Sequence, residues 1–329
     1  MRYRQFGNTD LNVSEIGFGA WAIGGGAMIG NTAIGWGNAD DKESKKAITR
    51  SLDLGINFFD TADIYGLGHS ENLIGETLAG RSDIIIATKV GNVSRDGQFT
   101  IDYSPGHILK ACEQSLKRLC RESIDYYQLH SARLSHLLQG ECLQAMETLQ
   151  KQGKVRYWGI SLNTFDPLPE ADFFLKQKIG NGFQLAFNMI NQKALPLMKE
   201  ASGAGYGVIA RMPLQFGLLT GKFDASVSFE QNDHRKKRIT PELIDASNTA
   251  LEPAWQLCKK YGISKTQLAL SYILSYREVS TIIPGIRTPE QAEKNTEGLV
   301  QMEEADKQLI ASLSHSGLVK VMESVEALG

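Results

Sequence analysis

The sequence predicts an α/β protein in which parallel strands alternate with helices. Short runs of apolar and β-branched residues alternate along the chain with amphipathic stretches of helical spacing. This alternation is typical of βαβ units. The 329 residues are 42% hydrophobic, enough for a large core, and no change in composition marks a domain boundary. We therefore expect a single domain over residues 1–329.

Eight apolar runs are the candidate strands, and each is short and bounded by polar or turn-forming residues. They are Glu15–Phe18, Ile56–Phe59, Asp83–Thr88, Ile124–Leu129, Val155–Ser161, Gly182–Phe187, Gly207–Ala210 and Ser280–Pro284. Eight parallel strands with intervening helices can close into a (β/α)8 (TIM) barrel. This barrel is the fold that the sequence predicts.

Amphipathic stretches between these runs are the candidate helices. In Ser44–Leu54, apolar Ala47 and Ile48 lie mainly on the opposite face from Lys46, as expected for a helix with one buried face. The same spacing recurs in Pro105–Cys120, Cys142–Gln152 and Thr288–Glu297. A further helix is expected to begin near Ser70, whose hydroxyl would serve as its N-cap.

The first fourteen residues predict an antiparallel hairpin. Tyr3–Phe6 and Leu11–Ser14 flank a turn-forming Gly-Asn-Thr-Asp, and this hairpin is expected to close the barrel floor. Two long connections, Gly24–Asp41 and Phe223–Ile239, have the length of lids or binding loops. Within the second, the charge run His234–Arg238 predicts a solvent-exposed face, and a contact with a phosphate or an anionic substrate is the alternative.

Residues 17–22, GFGAWA, offer a competing fold. They match the GxGxxA fingerprint of a dinucleotide-binding Rossmann unit after a strand, and acids follow at Asp40 and Asp41. A helix should begin directly after such a fingerprint. Three consecutive glycines follow at 24–26 instead, and each costs about 1 kcal/mol relative to alanine within a helix. The barrel is therefore the preferred interpretation.

Composition and motif content exclude several classes of protein. The formal net charge is −2 at pH 7, so nothing indicates a nucleic-acid or membrane-surface partner. No apolar stretch resembles a signal peptide or spans a bilayer. The four cysteines form no CxxC pair, which favours reduced thiols in a cytoplasmic protein. No cysteine–histidine cluster falls at the strand ends, so no metal site is expected. These features leave the oligomeric state open.

Polar side chains follow the apolar runs at the points where the strands end. They are Asp60, Lys89, His130, Ser161 with Asn163, Gln184 with Asn188, Arg211, and Arg287, which follows Pro284-Gly285. A closed barrel brings the carboxyl ends of its strands to one face, where the active sites of such barrels lie. We therefore expect these groups to share one cleft with the nearby phenol of Tyr65.

Four of these groups suit proton donation to a reacting oxygen. A free tyrosine has a pKa of about 10 and donates its proton slowly at neutral pH. A nearby ammonium favours the phenolate and lowers that pKa, and Lys89 is placed to supply the charge. Asp60 would pair with Lys89 and position it. His130 would hydrogen-bond the reacting oxygen or share its proton.

The motifs around these four residues resemble the catalytic tetrad of the aldo-keto reductases. Asp60 and Tyr65 lie in NFFDTADIYG, Lys89 in IIATKVG and His130 in DYYQLH. The resemblance covers essentially the whole chain and continues through GISLN (159–163), FQLAFN (183–188), RMPLQFGLLTGK (211–222) and IIPGIRTPEQAEKN (282–295). It implies a (β/α)8 barrel that binds NADPH in an extended form and reduces aldehydes or ketones, with Tyr65 giving a proton to the new alkoxide.

The same resemblance implies the contacts with NADPH or NADP+. The carboxamide positions are matched by Ser161, Gln184 and Asn163, and Asp60 is expected to contact the cofactor as well. Arg211 either stacks on the nicotinamide or contacts the pyrophosphate. The segment around the phosphates is matched by Pro213, Leu214, Gly217, Leu219, Gly221 and Lys222. The stretch beneath the nicotinamide ribose is matched by Gly19, Ala20 and Trp21. The end that carries the 2′-phosphate is matched by Gly285, Arg287, Gln291 and Asn295. The small carbonyl substrate is expected to meet Trp21, Trp36, Tyr65 and His130.

Three functions of different classes are compatible with these residues. The first is an NADPH-dependent carbonyl reductase with Tyr65 as the acid. The second is a Schiff-base lyase or aldolase that uses Lys89 as its amine, although this chemistry would not require the phosphate-binding motifs. The third is a cofactor-bound sensor or interaction subunit with little turnover, as in the potassium-channel β subunits of the same family. The first agrees with the largest number of motifs.

Overall fold

The structure is a computed structural model that describes residues 1–224 and 226–329. Its strands alternate with helices along nearly the whole chain. The strands are β1 (Tyr3–Gln5), β2 (Asn12–Ser14), β3 (Phe18–Gly19), β4 (Met28–Ile29), β5 (Thr32–Ala33), β6 (Phe58–Asp60), β7 (Ile85–Val90), β8 (Asn92–Arg95), β9 (Gln98–Ile101), β10 (Ile124–His130), β11 (Val155–Ser161), β12 (Gly182–Ala186), β13 (Gly207–Arg211) and β14 (Thr281–Ile283).

The α-helices mostly follow the strands of the barrel. They are α1 (Asp41–Asp53), α2 (His69–Leu78), α3 (Pro105–Arg118), α4 (Leu134–Gln139), α5 (Glu141–Lys151), α6 (Leu168–Gln177), α7 (Leu195–Gly203), α8 (Pro241–Ala250), α9 (Glu252–Tyr261), α10 (Lys265–Leu274), α11 (Pro289–Thr296), α12 (Glu304–Leu313) and α13 (Val319–Ala327). Several begin at a side chain that accepts a hydrogen bond from the first turn. These N-caps are Asp40, Ser104, Thr240, Ser264 and Thr288.

Eight parallel strands form the barrel that the sequence predicts. Their order around the ring is β3, β6, β7, β10, β11, β12, β13 and β14. Parallel bridges between Ile16 and Ile282 and between Gly19 and Gly285 join the first strand to the last and close the ring. The two backbones approach closely at Gly19, where a Cβ atom would lie 2.7 Å from the carbonyl oxygen of Ile283. Glycine is therefore required at this position.

The N-terminal hairpin β1–β2 closes one end of this barrel, as predicted. Phe6, Leu11 and Val13 are buried and pack with barrel residues that include Tyr126. Arg4 ties the hairpin to the far end of the chain, because its guanidinium donates to the backbone carbonyls of residues 274, 276 and 279 at 2.7–3.0 Å. The open cleft lies at the opposite end, where the strands have their carboxyl termini.

The predicted strands are confirmed, with ends that differ by a few residues. Strand β3 starts at Phe18, later than predicted, and β7 extends to Val90, so that Lys89 lies within the strand. After residues 17–22 the chain forms a 3-10 turn over Ala22–Gly24 and not the helix that a Rossmann unit requires. The competing fold is therefore wrong.

Two local features differ from the prediction. Helix α2 begins at His69 with Gly68 as its N-cap, so the capping role expected of Ser70 is wrong. The Ser70 hydroxyl instead donates to the Ala20 carbonyl oxygen at 2.9 Å and lies 2.8 Å from the Thr61 hydroxyl, which ties α2 to the strand ends. The β8–β9 hairpin was not foreseen at all.

No helix in the described ranges is long and apolar enough to cross a membrane. The four cysteines are free, and Cys112 and Cys142 are buried among the packed helices.

Candidate active site

A cleft of about 580 Å³ opens at the carboxyl ends of the barrel strands. Asp60, Tyr65 and His130 line it. Lys89 lies directly beneath, with none of its surface exposed. The barrel thus brings together the four residues for which the sequence predicted a common site, because each stands on or just after a strand that ends at this face.

An ion pair between Lys89 and Asp60 forms the base of the site. The Lys89 ammonium lies 2.6 Å from Asp60 Oδ1 and donates to the Thr61 carbonyl oxygen at 2.8 Å and to the Tyr65 hydroxyl at 3.3 Å. The Asp60 side chain is also almost completely buried. Because removal of two charges from water is costly, such a pair persists only when the remaining donors and acceptors find partners.

The second carboxylate oxygen of Asp60 is held by two amides. Gln184 Nε2 donates to Asp60 Oδ2 at 2.7 Å, and Gln128 Nε2 donates to the same oxygen at 3.2 Å. Gln128 was not predicted as a site residue. It lies on β10 two positions before His130, and alternate residues of a strand point to the same face, so this spacing was the signal that identifies it.

Electrostatics keeps Lys89 charged and Tyr65 protonated. Burial acts to lower the pKa of Lys89, but the Asp60 carboxylate and the Tyr65 hydroxyl together outweigh it, so the pKa lies above its usual value of 10.5. Burial raises the pKa of Tyr65 above its usual 10.0, and the Lys89 ammonium opposes that rise. The Lys89 charge thus acts in the expected direction, but the loss of hydration is the larger effect, so the net shift of the Tyr65 pKa is upward.

His130 faces Tyr65 across the cleft and is neutral. The two ring centroids lie 6.0 Å apart in an edge-to-face arrangement. Burial, with the charges of Lys89 and Arg211, holds the pKa of His130 well below its usual 6.5. The Tyr103 hydroxyl fixes the His130 backbone by donating to its carbonyl oxygen at 2.6 Å. A neutral imidazole can donate one hydrogen bond to an oxygen held beside Tyr65.

Two polar side chains of the cleft, Gln184 and Arg287, have unused hydrogen-bonding capacity within the described residues. Gln184 Oε1 is buried without a hydrogen bond, and the neighbouring Ser161 lines the cleft. Arg287 forms no ion pair within those residues; its Nη1 donates only long bonds to the backbone carbonyls of Trp36 and Asn38, at 3.4 and 3.5 Å. These atoms are available to a ligand.

Arg211 is the last residue of strand β13, and its side chain lines the cleft. Its Nη2 donates to the Leu162 carbonyl oxygen at 3.1 Å and to the Thr164 hydroxyl at 2.9 Å. Its Nε is buried without a partner in the part of the chain that the structure describes. Burial and the nearby Arg238 both lower the pKa of Arg211.

The charge run at residues 234–238 forms part of the cleft wall. Lys236 and Lys237 are exposed, as predicted for the whole run. His234, however, is only 5% exposed, and it lines the cleft together with both arginines of the run. The predicted solvent-exposed face is therefore wrong for these three residues, because their rings and guanidinium groups pack on aromatic side chains.

Four rings make up what we call the aromatic wall: Trp21, Trp36, Phe216 and His234. The His234 ring stacks on Trp21 at 4.4 Å and meets Trp36 and Phe216 edge-on at 4.8 Å each. Trp21 also stacks near Tyr65, at 5.7 Å between centroids. The wall therefore extends from the phenol to the loop that carries residues 234–238.

Comparisons with known proteins agree with this geometry. The profile of the Aldo/keto reductase family matches residues 15–315. The chain belongs to the aldo/keto reductase family.

Individual sequences and a solved structure are also similar to this chain. The chain is 31% identical over 96% of its length to an uncharacterized oxidoreductase, YqkF, of Bacillus subtilis, covering 97% of that protein. It is 27% identical to a probable voltage-gated potassium channel β subunit of Arabidopsis thaliana, with 90% of each chain covered. The holo form of aldo-keto reductase AKR11C1 from Bacillus halodurans superimposes with a TM-score of 0.74 at 27% identity, covering 95% of this chain and 96% of that one.

Most of the cofactor positions expected of an aldo-keto reductase line the cleft. They are Gly19, Ala20, Trp21, Asp60, Ser161, Gln184, Arg211, Pro213, Leu214, Gly217, Lys222, Gly285, Arg287 and Gln291. Trp36, expected at the substrate, lines it as well. Gln291 acts locally, since its side-chain oxygen accepts from the Arg287 backbone N–H at 2.7 Å.

Four expected cofactor residues of this aldo-keto reductase are not part of the cleft lining. The Asn163 side-chain oxygen accepts from the backbone of Phe165 at 2.8 Å. Leu219 is fully buried in the core, and Asn295 is 3% exposed. Gly221 has a left-handed backbone with φ of +70° and ends the turn before Lys222. Their assignment to the cofactor stays a prediction.

No group of three or more His, Cys, Asp or Glu side chains is arranged to hold a metal ion within residues 1–224 and 226–329.

Proposed function

We propose that the protein reduces aldehydes or ketones to alcohols with NADPH, and that Tyr65 donates the proton. The observation that carries the proposal is the contact of the Lys89 ammonium with both Asp60 and the Tyr65 hydroxyl at the base of the cleft. NADPH, when bound, supplies a hydride to the carbonyl carbon. The protein must then supply a proton to the oxygen.

Each member of the tetrad has a separate task in this proposal. Tyr65 stays protonated at neutral pH, because its pKa is above 10.0, and so it can act as the acid. Lys89 stabilises the phenolate that remains after proton transfer. Asp60 holds Lys89 charged and in place. His130, neutral, donates a hydrogen bond that orients the substrate oxygen toward Tyr65.

The residues around the cleft fit a nicotinamide cofactor. Gln184 Oε1, buried without a partner in the described chain, is suited to accept from a carboxamide, and Ser161 lies on the adjacent strand β11. Lys222 lines the cleft as an exposed cation suited to a phosphate. Arg287, free of any carboxylate within the described residues, is suited to the 2′-phosphate that distinguishes NADPH from NADH. NADPH is therefore the cofactor that we propose.

Imine chemistry at Lys89 is less well supported. A Schiff-base lysine must lose its proton to become a nucleophile, and burial or a nearby cation usually lowers its pKa. Here the Asp60 carboxylate raises the pKa of Lys89, and the ammonium is spent on three hydrogen bonds. A sensor role with little turnover remains the second candidate, because a channel β subunit is among the relatives.

The test is steady-state oxidation of NADPH, followed by its absorbance, with a panel of aldehydes and ketones. We expect turnover with the wild-type protein and its loss in Tyr65→Phe, with NADPH still bound in both. A wild-type protein that binds NADPH but oxidises it with no carbonyl compound would favour the sensor. Borohydride trapping of a substrate on Lys89 would favour the lyase.

A further inference from the structure

The charged groups that line the cleft are mostly cations. Asp60 is a lining carboxylate that Lys89 already balances, whereas the lining cations are Lys222, Arg211, Arg235, Arg238 and Arg287. In the proposed function, Lys222 and Arg287 meet the phosphates of NADPH. Arg235 is neutralised by Asp233 at 2.6 Å. Arg211 and Arg238 have no carboxylate within 4.0 Å in the described residues.

Arg238 is the better placed of the two for a substrate. Its Nη1 donates to His234 Nδ1 at 2.7 Å, and its guanidinium lies over the Phe216 ring at 5.5 Å. These two contacts fix the side chain without neutralising it. Burial acts on Arg238 to lower its pKa, yet a guanidinium does not lose its proton in a protein. The charge therefore stays and lacks a counterion.

His234 is built to hold Arg238. Because a guanidinium can only donate, His234 Nδ1 must be the acceptor, and the ring is then neutral with its proton on Nε2. Burial, followed by the charge of Arg238, lowers the pKa of His234 to about 3, which agrees with that state. His234 Nε2 is itself buried without a partner in the described part of the chain.

The aromatic wall connects this pair to the proton donor. The indole of Trp21 lies between the Tyr65 ring, at 5.7 Å, and the His234 ring, at 4.4 Å. Tyr65, Trp21, His234 and Arg238 all line the same cleft, so a small substrate whose carbonyl oxygen meets the Tyr65 hydroxyl can extend past the indole toward Arg238. The charge of Arg238 contributes to lowering the pKa of Arg211, and the two guanidinium groups line the same cleft, so both add to the positive potential there.

We propose that Arg238, positioned by His234, is an anion-binding subsite for the substrate, so that the preferred substrates are small carbonyl compounds with a carboxylate or a phosphate. An arginine fork matches the oxygens of either group. A half-buried cation without a counterion is costly, and such an anion would offset that cost on binding. This inference rests on the proposed carbonyl reduction and names its substrate class.

Two matched pairs of substrates test the subsite. Succinic semialdehyde is compared with its methyl ester, and glyceraldehyde phosphate with glyceraldehyde. The readout is the ratio of kcat/KM for the charged member to that for the neutral one. In Arg238→Gln we expect this ratio to fall about ten- to a hundredfold, the usual effect of one charge-assisted hydrogen bond. Whichever pair responds more strongly identifies the anion as carboxylate or phosphate.

Control variants separate the subsite from general charge effects. Lys236→Gln removes the same charge from the same loop at an exposed position, and we expect its ratio to stay within about twofold of wild type. Arg238→Lys keeps the charge but loses the fork, so its ratio should fall less than that of Arg238→Gln. A thermal unfolding curve for each variant verifies that the fold is kept.

Binding measurements keep the test independent of turnover. Succinate is titrated against tryptophan fluorescence, since Trp21 and Trp36 line the cleft, and its Kd should rise about tenfold or more in Arg238→Gln. An unchanged ratio with an unchanged succinate Kd overturns the inference. A rise in the NADPH Kd with an unchanged ratio also overturns it, because Arg238 would then serve the cofactor. If wild-type protein reduces none of the four compounds, the wider panel of aldehydes and ketones still tests the proposed function, and the succinate titration alone decides the subsite.

Discussion

Lys89 and Arg238 both bring a positive charge to the cleft, but from different parts of the molecule. Lys89 stands on strand β7, is completely buried and lies 2.6 Å from the Asp60 carboxylate. Arg238 stands in the long loop before α8 and is only partly buried, and its closest polar partner is the neutral His234 ring. The protein thus neutralises the charge on the strand with its own carboxylate. The charge in the loop has no carboxylate partner within the described residues, and in our proposal a ligand supplies it.

This difference separates two functions of the site. The strand ends hold groups whose geometry must not change, and buried partners on several strands fix them. The loops hold groups that select what enters, and they can vary without disturbing the barrel. Substitutions at the strand ends should therefore affect proton transfer and stability, whereas substitutions in the loops should affect mainly which ligands bind.

Tyr65→Phe should give the largest effect among the strand-end substitutions. The change removes one hydroxyl and leaves the ring to stack near Trp21. We expect single-turnover hydride transfer to slow by about 10²–10⁴, the usual contribution of a positioned acid, while NADPH affinity is kept. Tyr3→Phe is the matched control, because its hydroxyl bonds to Gly55 at the barrel floor. A Tyr65→Phe protein with near wild-type rate would remove Tyr65 from the mechanism.

Lys89→Met should both destabilise the fold and slow the reaction. Removal of one partner leaves Asp60 buried and unpaired, which costs about 3–5 kcal/mol of unfolding free energy in such pairs. Urea unfolding measures this loss. Lys260→Met removes an exposed lysine that pairs with Asp306 at 2.7 Å, and it should destabilise far less. Equal losses in the two variants would contradict the distinction between buried and exposed pairs.

The Lys89→Met substitution should also change the pH dependence of the reaction rate. Burial raises the pKa of Tyr65, and the Lys89 charge partly opposes that rise. An acid is active while protonated, so the wild-type rate should fall as the pH rises through the Tyr65 pKa. Without Lys89 that pKa moves further upward, and any residual activity should persist to higher pH than in wild type. A pH–rate profile that moves to lower pH would contradict this role for Lys89.

Arg287→Ala tests the loop between β14 and α11, which is the part of the cleft that we propose binds the cofactor. The guanidinium has no carboxylate partner in the described residues and makes only long bonds to two backbone carbonyls. We expect NADPH affinity to fall about ten- to a hundredfold with little change for NADH, because one charge-assisted contact is lost. Arg277→Ala, an exposed site before β14, is the control. Equal Kd values for NADPH and NADH in wild-type protein would contradict the assignment.

His234→Gln should give the smallest effect, on the acid sensitivity of the fold. Because the folded pKa of His234 is lowered to about 3, its contribution to stability is complete above about pH 6.5, the unfolded value, and is lost as the pH falls toward 3. Between about pH 7 and pH 5.5 the loss is about 1 kcal/mol. Glutamine does not titrate, so the variant should lose correspondingly less stability over that range. If the free energy of unfolding falls equally with pH in wild type and variant, His234 is protonated to the same extent in the folded and the unfolded protein, which would contradict this prediction.

Most of the barrel and the centre of the site could be predicted from sequence, because both depend on local patterns. Apolar runs gave the strands, and polar residues at their ends gave Asp60, Lys89 and His130. The pairing of Lys89 with Asp60 followed from the meeting of β6 and β7 at one face. Gln128 could have been found in the same way, from its position two residues before His130.

The loop that carries residues 234–238 could not be interpreted from its own composition. A run of five basic or imidazole side chains is usually solvated. Here the His234 ring is covered by Trp21, which lies far away along the chain, and the Arg238 guanidinium lies over Phe216, which follows strand β13. Such burial depends on tertiary packing alone. The direction of the Tyr65 pKa shift had the same cause, since the sequence indicated the nearby charge but not the depth of burial.

The closed barrel floor has a consequence for how the chain is made. Arg4 bonds to backbone carbonyls 270–275 residues away, and Ile16 pairs with Ile282. A ribosome delivers the hairpin well before β14, so the hairpin and the first strand lack their partners while the residues between them are made. The unpaired edges of a half-built sheet are sites of aggregation. Contacts over such separations also form slowly. We therefore expect nascent chains that stop before β14 to depend on chaperones.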